Sequence, residues 1–146
     1  MTAPHKIAIA LGGNLGDVPA TFDRAITLLE EGGVTGIVRG CTLVSKAVDC
    51  VPGTPDFHNS AVVGFWKGSP DELLDLTQSI EMQLGRPARH SSRESRTIDL
   101  DILTFDDMTI ETPRLAIPHP RMRQRPFVMV PLKDALDKAQ KSGENK

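Results

Sequence analysis

A helix whose two ends are both written in the sequence divides this chain. Ser69, Pro70 and Glu72 supply an N-cap, a first-turn proline and the acid of a capping box, and Gly85 is a natural stop. Between them Leu73, Thr77, Ile80 and Leu84 recur at helical spacing and form a buried stripe. Gln78 and Glu81, three apart, share one face near the helix end. The flanking segments have the other period. Residues 57–66 place Phe57, Asn59, Ala61, Val63 and Phe65 on one side of a strand. Residues 98–105 read as a strand again, after a Ser/Arg-rich loop over 86–96.

The first half repeats the pattern. Residues 7–11 form a short buried strand that stops at the turn signal Gly12-Gly13-Asn14. A helix starts near Asp17 or Pro19, carries Phe22, Ala25, Ile26 and Leu29, and ends at Gly32-Gly33. Residues 34–45 read as a second strand, followed by a loop over 46–55. After the fourth strand, Asp106-Asp107 turns into a short ribbon around 109–111. A Pro/Arg-rich segment over 113–126 then leads to a short helix over 127–136, with residues 137–146 as a frayed tail. The order is β-α-β-β-α-β, that of a ferredoxin-like α+β sandwich: an antiparallel sheet with helices packed on it, covering one face. A chain of 146 residues is one domain.

Composition closes off other classes. No apolar run approaches the roughly 20 residues of a membrane span, and residues 7–11 are too short for a signal-peptide core, so a cytoplasmic location is expected. Cys41 and Cys50 have no metal-ligand spacing and read as reduced thiols. The net charge of -2 and 4% aromatic content, with no Tyr, disfavour an RNA-binding module. Eight of the ten arginines nevertheless fall between 86 and 125, a stretch without lysine. Arginine's rigid fork suits phosphate oxygens, although a solvated loop would also account for the cluster.

The sharpest local signal is Asp99-Leu100-Asp101 inside a strand. Residues two apart point to one face, so both carboxylates emerge together while Ile98, Leu100 and Ile102 face the core. Two bare carboxylates repel; a divalent cation removes that cost, and oxygen-only donors favour magnesium. Alone, the pair also fits a solvent-facing strand. Arg96 just before it, Arg86, Arg89 and Arg93 in the preceding loop and Arg121, Arg123 and Arg125 after it add the cations that phosphoryl transfer requires. The chain has no P-loop and no G-x-G-x-x-G. His119, between Pro118 and Pro120, has a fixed backbone and serves a ligand contact or a plain surface loop. Phe57 and Asn59 pair an apolar ring with an amide, which suits the edge of a heterocycle or simple cross-strand packing.

Taken together, IALGGNLGD at 9–17, PDFHNSAV at 55–62, LTQSIEMQLGR at 76–86, SRTIDLDIL at 95–103 and IPHPRMRQRPF at 117–127 resemble the 6-hydroxymethyl-7,8-dihydropterin pyrophosphokinase family over nearly the whole chain. The resemblance implies a ferredoxin-like fold and a transfer of pyrophosphate from ATP to the hydroxymethyl group of a dihydropterin, with AMP as second product, in folate biosynthesis. A degenerate member that binds without turnover is the alternative. The resemblance further implies two Mg2+ ions on Asp99 and Asp101, and Arg86, Arg96 and Arg125 as triphosphate or transfer groups. Gln78, Glu81, Arg114 and His119 fall on the ATP side, and Phe57, Asn59 and Phe127 in the pterin pocket. The implied partners are ATP and the dihydropterin, with no nucleic acid and no membrane, for a monomer. Ser92, Arg93 and Glu94 depart from the family signature, as does Pro120 after the histidine.

Overall fold

The computed structural model describes residues 3–14, 17–45, 56–85 and 98–144. Its elements are β1 (His5–Gly13), α1 (Val18–Glu31), β2 (Thr35–Arg39), β3 (Leu43–Ser45), β4 (Phe57–Trp66), α2 (Pro70–Gln83), β5 (Asp99–Phe105), β6 (Ile110–Glu111), β7 (Ala116–Ile117), a 3-10 turn (Met122–Gln124) and α3 (Pro126–Glu144).

Both expected helix starts are present as capped ends. Asp17 accepts the Ala20 N–H ahead of α1. At α2 the Ser69 hydroxyl accepts the Glu72 N–H at 3.1 Å, and the Glu72 carboxylate accepts the Ser69 N–H at 2.9 Å. The hydrogen bonds from Val34 N–H to Leu29 and from Gly33 N–H to Glu30 close α1 as a Schellman motif. That motif needs a left-handed residue, and Gly33 supplies it with φ +115°.

The main sheet runs β2-β4-β1-β5, with β3 also on β4, and every pairing is antiparallel. Each of α1 and α2 therefore joins two parallel strands separated by one antiparallel strand, the split β-α-β arrangement. Ile7, Ile9, Leu11, Ile98, Leu100 and Ile102 point to one face and pack with Phe22, Leu29, Leu73 and Ile80 of the two helices. Opposite Ala8 a bulge gives β5 one extra residue, since Ile9 pairs with Ile102 but Ala8 with Thr104. The shift returns Phe105 to the first core and leaves Leu103 in a second one.

That second core corrects the expectation that helices cover one face. Ala8, Ala61, Val63 and Leu103 pack with Met122, Val128, Leu132 and Ala135, so α3 lies on the opposite face of the sheet. It also runs to Glu144 instead of ending near 136. Ala135 and Ala139 keep its apolar stripe in contact with the sheet, and burial rather than propensity sustains the added turns.

Three strand expectations also change. The segment over 34–45 is two strands, β2 and β3, broken where α3 crosses Gly40. At the break Cys41 N–H donates to Asp134 of α3 at 2.7 Å, and the Ser60 hydroxyl donates to the Gly40 and Cys41 carbonyls. β1 continues through Gly12 and Gly13, because pairing with β4 on one side and β5 on the other holds the first glycine in the sheet. The ribbon is β6 paired with β7. The loop over 46–55, with Cys50, lies outside the described residues, as does the loop over 86–96.

Candidate functional site

The register of three strands builds the floor. Asn59, Gly12 and Asp99 form one row across β4, β1 and β5, and Ala61, Ala10 and Asp101 form the next. Opposed residues share a face, so Asn59 and both aspartates stand on the side away from α1 and α2, with only a glycine and an alanine between them. A Cβ on Gly12 would meet the Asn59 Oδ1 at 3.2 Å, which places the amide directly over the glycine. Phe57 lies two residues along β4 on the same face. Asp99 and Asp101 are half-buried, flanking the buried Leu100. Their spacing along the strand is about 7 Å.

A second wall comes from the segment after β6. Asp101, Arg114, His119, Thr112 and Pro120 line one cleft of about 350 Å³. His119 is held there by its own N–H, which donates to the Leu103 carbonyl at 3.0 Å. Its Nδ1 accepts the Arg121 N–H at 3.4 Å, a long bond. The Ile117-Pro118 peptide is cis. Arg114 reaches from this wall to α2, 2.7 Å from Asp75 and 3.7 Å from Asp71. The hydrogen bond to Asp75 raises its pKa above the usual guanidinium value, so it is a fixed cation.

Arg125 and Phe127 mark the start of α3. The Arg125 carbonyl accepts the Val128 and Met129 N–H groups, and its guanidinium lies 5.9 Å from the Phe127 ring centroid, a cation–π contact. The Phe127 ring is well exposed.

The sequence-predicted residues therefore separate into groups. Asp99, Asp101 and Asn59 share the floor, with Phe57 further along it, and Arg114 and His119 meet Asp101 in the cleft. Arg125 and Phe127 are together at the head of α3. Gln78 and Glu81 do not share a face: Gln78 is exposed and lines a surface depression with Asp75 and Met82, whereas Glu81 is buried. The Glu81 Oε2 accepts the Leu100 N–H at 2.8 Å, between the two aspartates. Arg86 and Arg96 lie outside the described residues. Sequence reasoning missed the floor itself. Its signal was the alternation of small and large residues in β1, with Ala8, Ala10 and Gly12 between Ile7, Ile9 and Leu11. It also missed Asp71 and Asp75, acids four apart on the exposed side of α2, which hold Arg114.

Among the described residues no group of three or more His, Cys, Asp or Glu could hold a metal ion. The described residues bring two carboxylates, Asp99 and Asp101, to the floor. That set lacks the nitrogen and sulfur ligands of a zinc site and matches magnesium, which takes one or two carboxylates and completes its shell with water and phosphate oxygens.

Comparison with known proteins places the chain among named relatives. A protein from Arabidopsis thaliana named folate synthesis bifunctional protein, mitochondrial, is 39% identical over 92% of this chain and 24% of its own length. The 2-amino-4-hydroxy-6-hydroxymethyldihydropteridine pyrophosphokinase of Bacillus subtilis is 38% identical over 91% of this chain and 79% of its own. The Synechocystis protein of the same name is 40% identical over 88% and 65%. The chain spans under a third of the length of the plant relatives it matches. The family model described as 7,8-dihydro-6-hydroxymethylpterin-pyrophosphokinase matches residues 8–137, and the chain belongs to that family.

Proposed function

We propose that this chain transfers pyrophosphate from ATP to 6-hydroxymethyl-7,8-dihydropterin, giving AMP and the pterin diphosphate. The observation that supports this reading is the row Asn59–Gly12–Asp99, which brings an amide and a carboxylate onto one floor with no side chain between them. In the reaction the hydroxymethyl oxygen attacks the β-phosphorus of ATP. A phosphorus–oxygen bond forms there, the bond to the α-phosphate oxygen breaks, and AMP leaves with that oxygen. The hydroxyl proton passes to solvent.

The residues divide this work. Asn59 presents donor and acceptor to the pterin edge, and Phe57 and Phe127 supply flat apolar surface for its rings. Asp99 and Asp101 would hold magnesium; when bound, the ion neutralises charge on the phosphate oxygens. Arg114 and His119 line the cleft beside Asp101 and face the nucleotide. Arg125, Arg86 and Arg96 are assigned to the triphosphate and the transfer. Placing both substrates on one rigid floor supplies the proximity on which phosphoryl transfer depends.

The test is a chromatographic assay with purified protein, ATP, Mg2+ and 6-hydroxymethyl-7,8-dihydropterin. AMP and pterin diphosphate should appear in equal amounts, require the pterin and vanish with chelator. Asp101→Asn should lower turnover by about a hundred- to a thousandfold, the range set by losing one preorganised electrostatic group. Product formation at the wild-type rate by both Asp99→Asn and Asp101→Asn would refute the cation assignment.

A further inference from the structure

Glu81 is a buried carboxylate outside the cleft. It sits in the last turns of α2, 8% exposed, and its Oε2 accepts the Leu100 N–H at 2.8 Å. Leu100 is the residue between Asp99 and Asp101. β5 is the last strand of its sheet, paired to β1 along one edge. Along its other edge, amides have no strand partner among the described residues. Glu81 serves one of them from a helix, at the point of that edge that lies between the two aspartates.

A water would satisfy the same N–H but would not tie the strand to a helix; a side-chain oxygen at this reach does both. Leu100 points into the first core, and its neighbours point the opposite way. Any roll of β5 about its axis would swing both aspartates together. The bond from β1 restrains one edge of the strand, and Glu81 restrains the other at the pivot.

We propose that Glu81 is a positioning residue whose bond to Leu100 holds the carboxylates of Asp99 and Asp101 convergent on one divalent-cation site. This rests on the reading of those aspartates as cation ligands given above. A purely structural Glu81 would affect thermal stability and leave cation affinity unchanged.

Mn2+ titration followed by electron paramagnetic resonance separates the two, with wild type, Asp101→Asn, Glu81→Gln and Glu81→Asp compared alongside their melting curves. Glu81→Gln keeps an acceptor oxygen at the same reach and should bind Mn2+ within about twofold of wild type. Glu81→Asp keeps the charge but falls one methylene short, and should bind about tenfold more weakly, as expected when a ligand loses its support. In the wild type, Mg2+ should shift the Glu81 carboxyl carbon resonance with the midpoint of the Asp101 resonance, a readout that needs no variant to fold. Wild-type Mn2+ affinity that is indifferent to Asp101→Asn would overturn the cation reading and this inference with it. An affinity that depends on Asp101 but not on Glu81→Asp would overturn the positioning role alone. So would a Glu81→Gln loss equal to that of Glu81→Asp, or a Glu81 resonance that does not move.

Discussion

Gly40→Ala tests the packing that sets where α3 lies. A Cβ at Gly40 would fall within the van der Waals shell of the Pro131 carbonyl oxygen and stand 3.0 Å from the Ala135 nitrogen. Both are backbone atoms of α3, so no side-chain rotation relieves the clash. Two effects oppose each other. Glycine-to-alanine at an unstrained position stabilises by about 0.4–1 kcal/mol through the unfolded chain, and Gly40 has no left-handed φ that would forbid the change. The clash is larger. Clearing it moves α3 out by about 1 Å, a gap that forfeits up to half of each contact across it. Val128, Leu132 and Ala135 lose contact with Ala61, Val63 and Leu103 together. With about 1.5–3 kcal/mol for each large buried side chain, half of the Val128 and Leu132 terms plus the Cys41–Asp134 bond comes to about 3 kcal/mol. At about 2–4 °C per kcal/mol for a chain of this size, Tm should fall by about 6–12 °C. Calorimetry or circular dichroism measures it, with Gly12→Ala as a control whose one tight contact is a side chain, the His58 carbonyl standing at an ordinary 3.9 Å. A Gly40→Ala protein melting within about 1.5 °C of wild type, less than the shift from one hydrogen bond, would refute the placement of α3.

The other predictions are local. Gly12→Ala pushes the Asn59 amide by a few tenths of an ångström, so the KM for the pterin should rise about fivefold, the equivalent of about 1 kcal/mol for one misplaced hydrogen bond, while Tm changes little; an unchanged KM would remove Asn59 from the pterin contact. Ser69→Ala deletes the acceptor for the Glu72 N–H and should cost about 1 kcal/mol, read as a drop in Tm of about 2–4 °C. Asp106 bonds His5 Nδ1 at 2.6 Å and accepts the Lys6 N–H at 2.7 Å, and these bonds lower its carboxyl pKa. A depressed carboxylate contributes stability above its unfolded pKa of about 3.9 and loses it as pH falls through the lower folded value. The Tm of wild type should therefore fall more steeply than that of Asp106→Asn on acidification below about pH 4, with parallel curves counting against the linkage.

What was legible in the sequence follows from how local each determinant is. The ends of α1 and α2 were readable because capping is decided within four residues. The shared face of Asp99 and Asp101 was readable because the strand period is two. The bounds of β4 were readable because turn residues flank it. What failed depends on distant partners. Gly12 and Gly13 look like a turn and become strand because β4 pairs with both and β5 with Gly12. The break at Gly40 has no local signal, since its cause is a helix more than ninety residues later in the chain. The extra turns of α3 come from Ala135 and Ala139 against the sheet, which a composition of charged and small residues conceals. Glu81 was placed at the nucleotide by its position in a motif, but the motif does not record that its oxygen accepts the Leu100 N–H.

The place where α3 begins decides that a site exists on this face at all. Along β5 the residues facing α3 are Asp99, Asp101 and then Leu103. Leu103 is covered: it is buried in one cluster with Met122 and Val128, and its carbonyl takes the His119 N–H. The aspartates, one and two rows earlier, remain half-buried. The same division runs through β4, where Ala61 and Val63 are in the second core and Asn59 and Phe57 are not. An antiparallel sheet buried by helices on both faces has no room for a ligand among its side chains. Here the 3-10 turn and Pro126 start the covering helix at the level of Leu103. The end of that face that α3 does not reach carries two carboxylates and an amide, where an extended α3 would demand apolar residues.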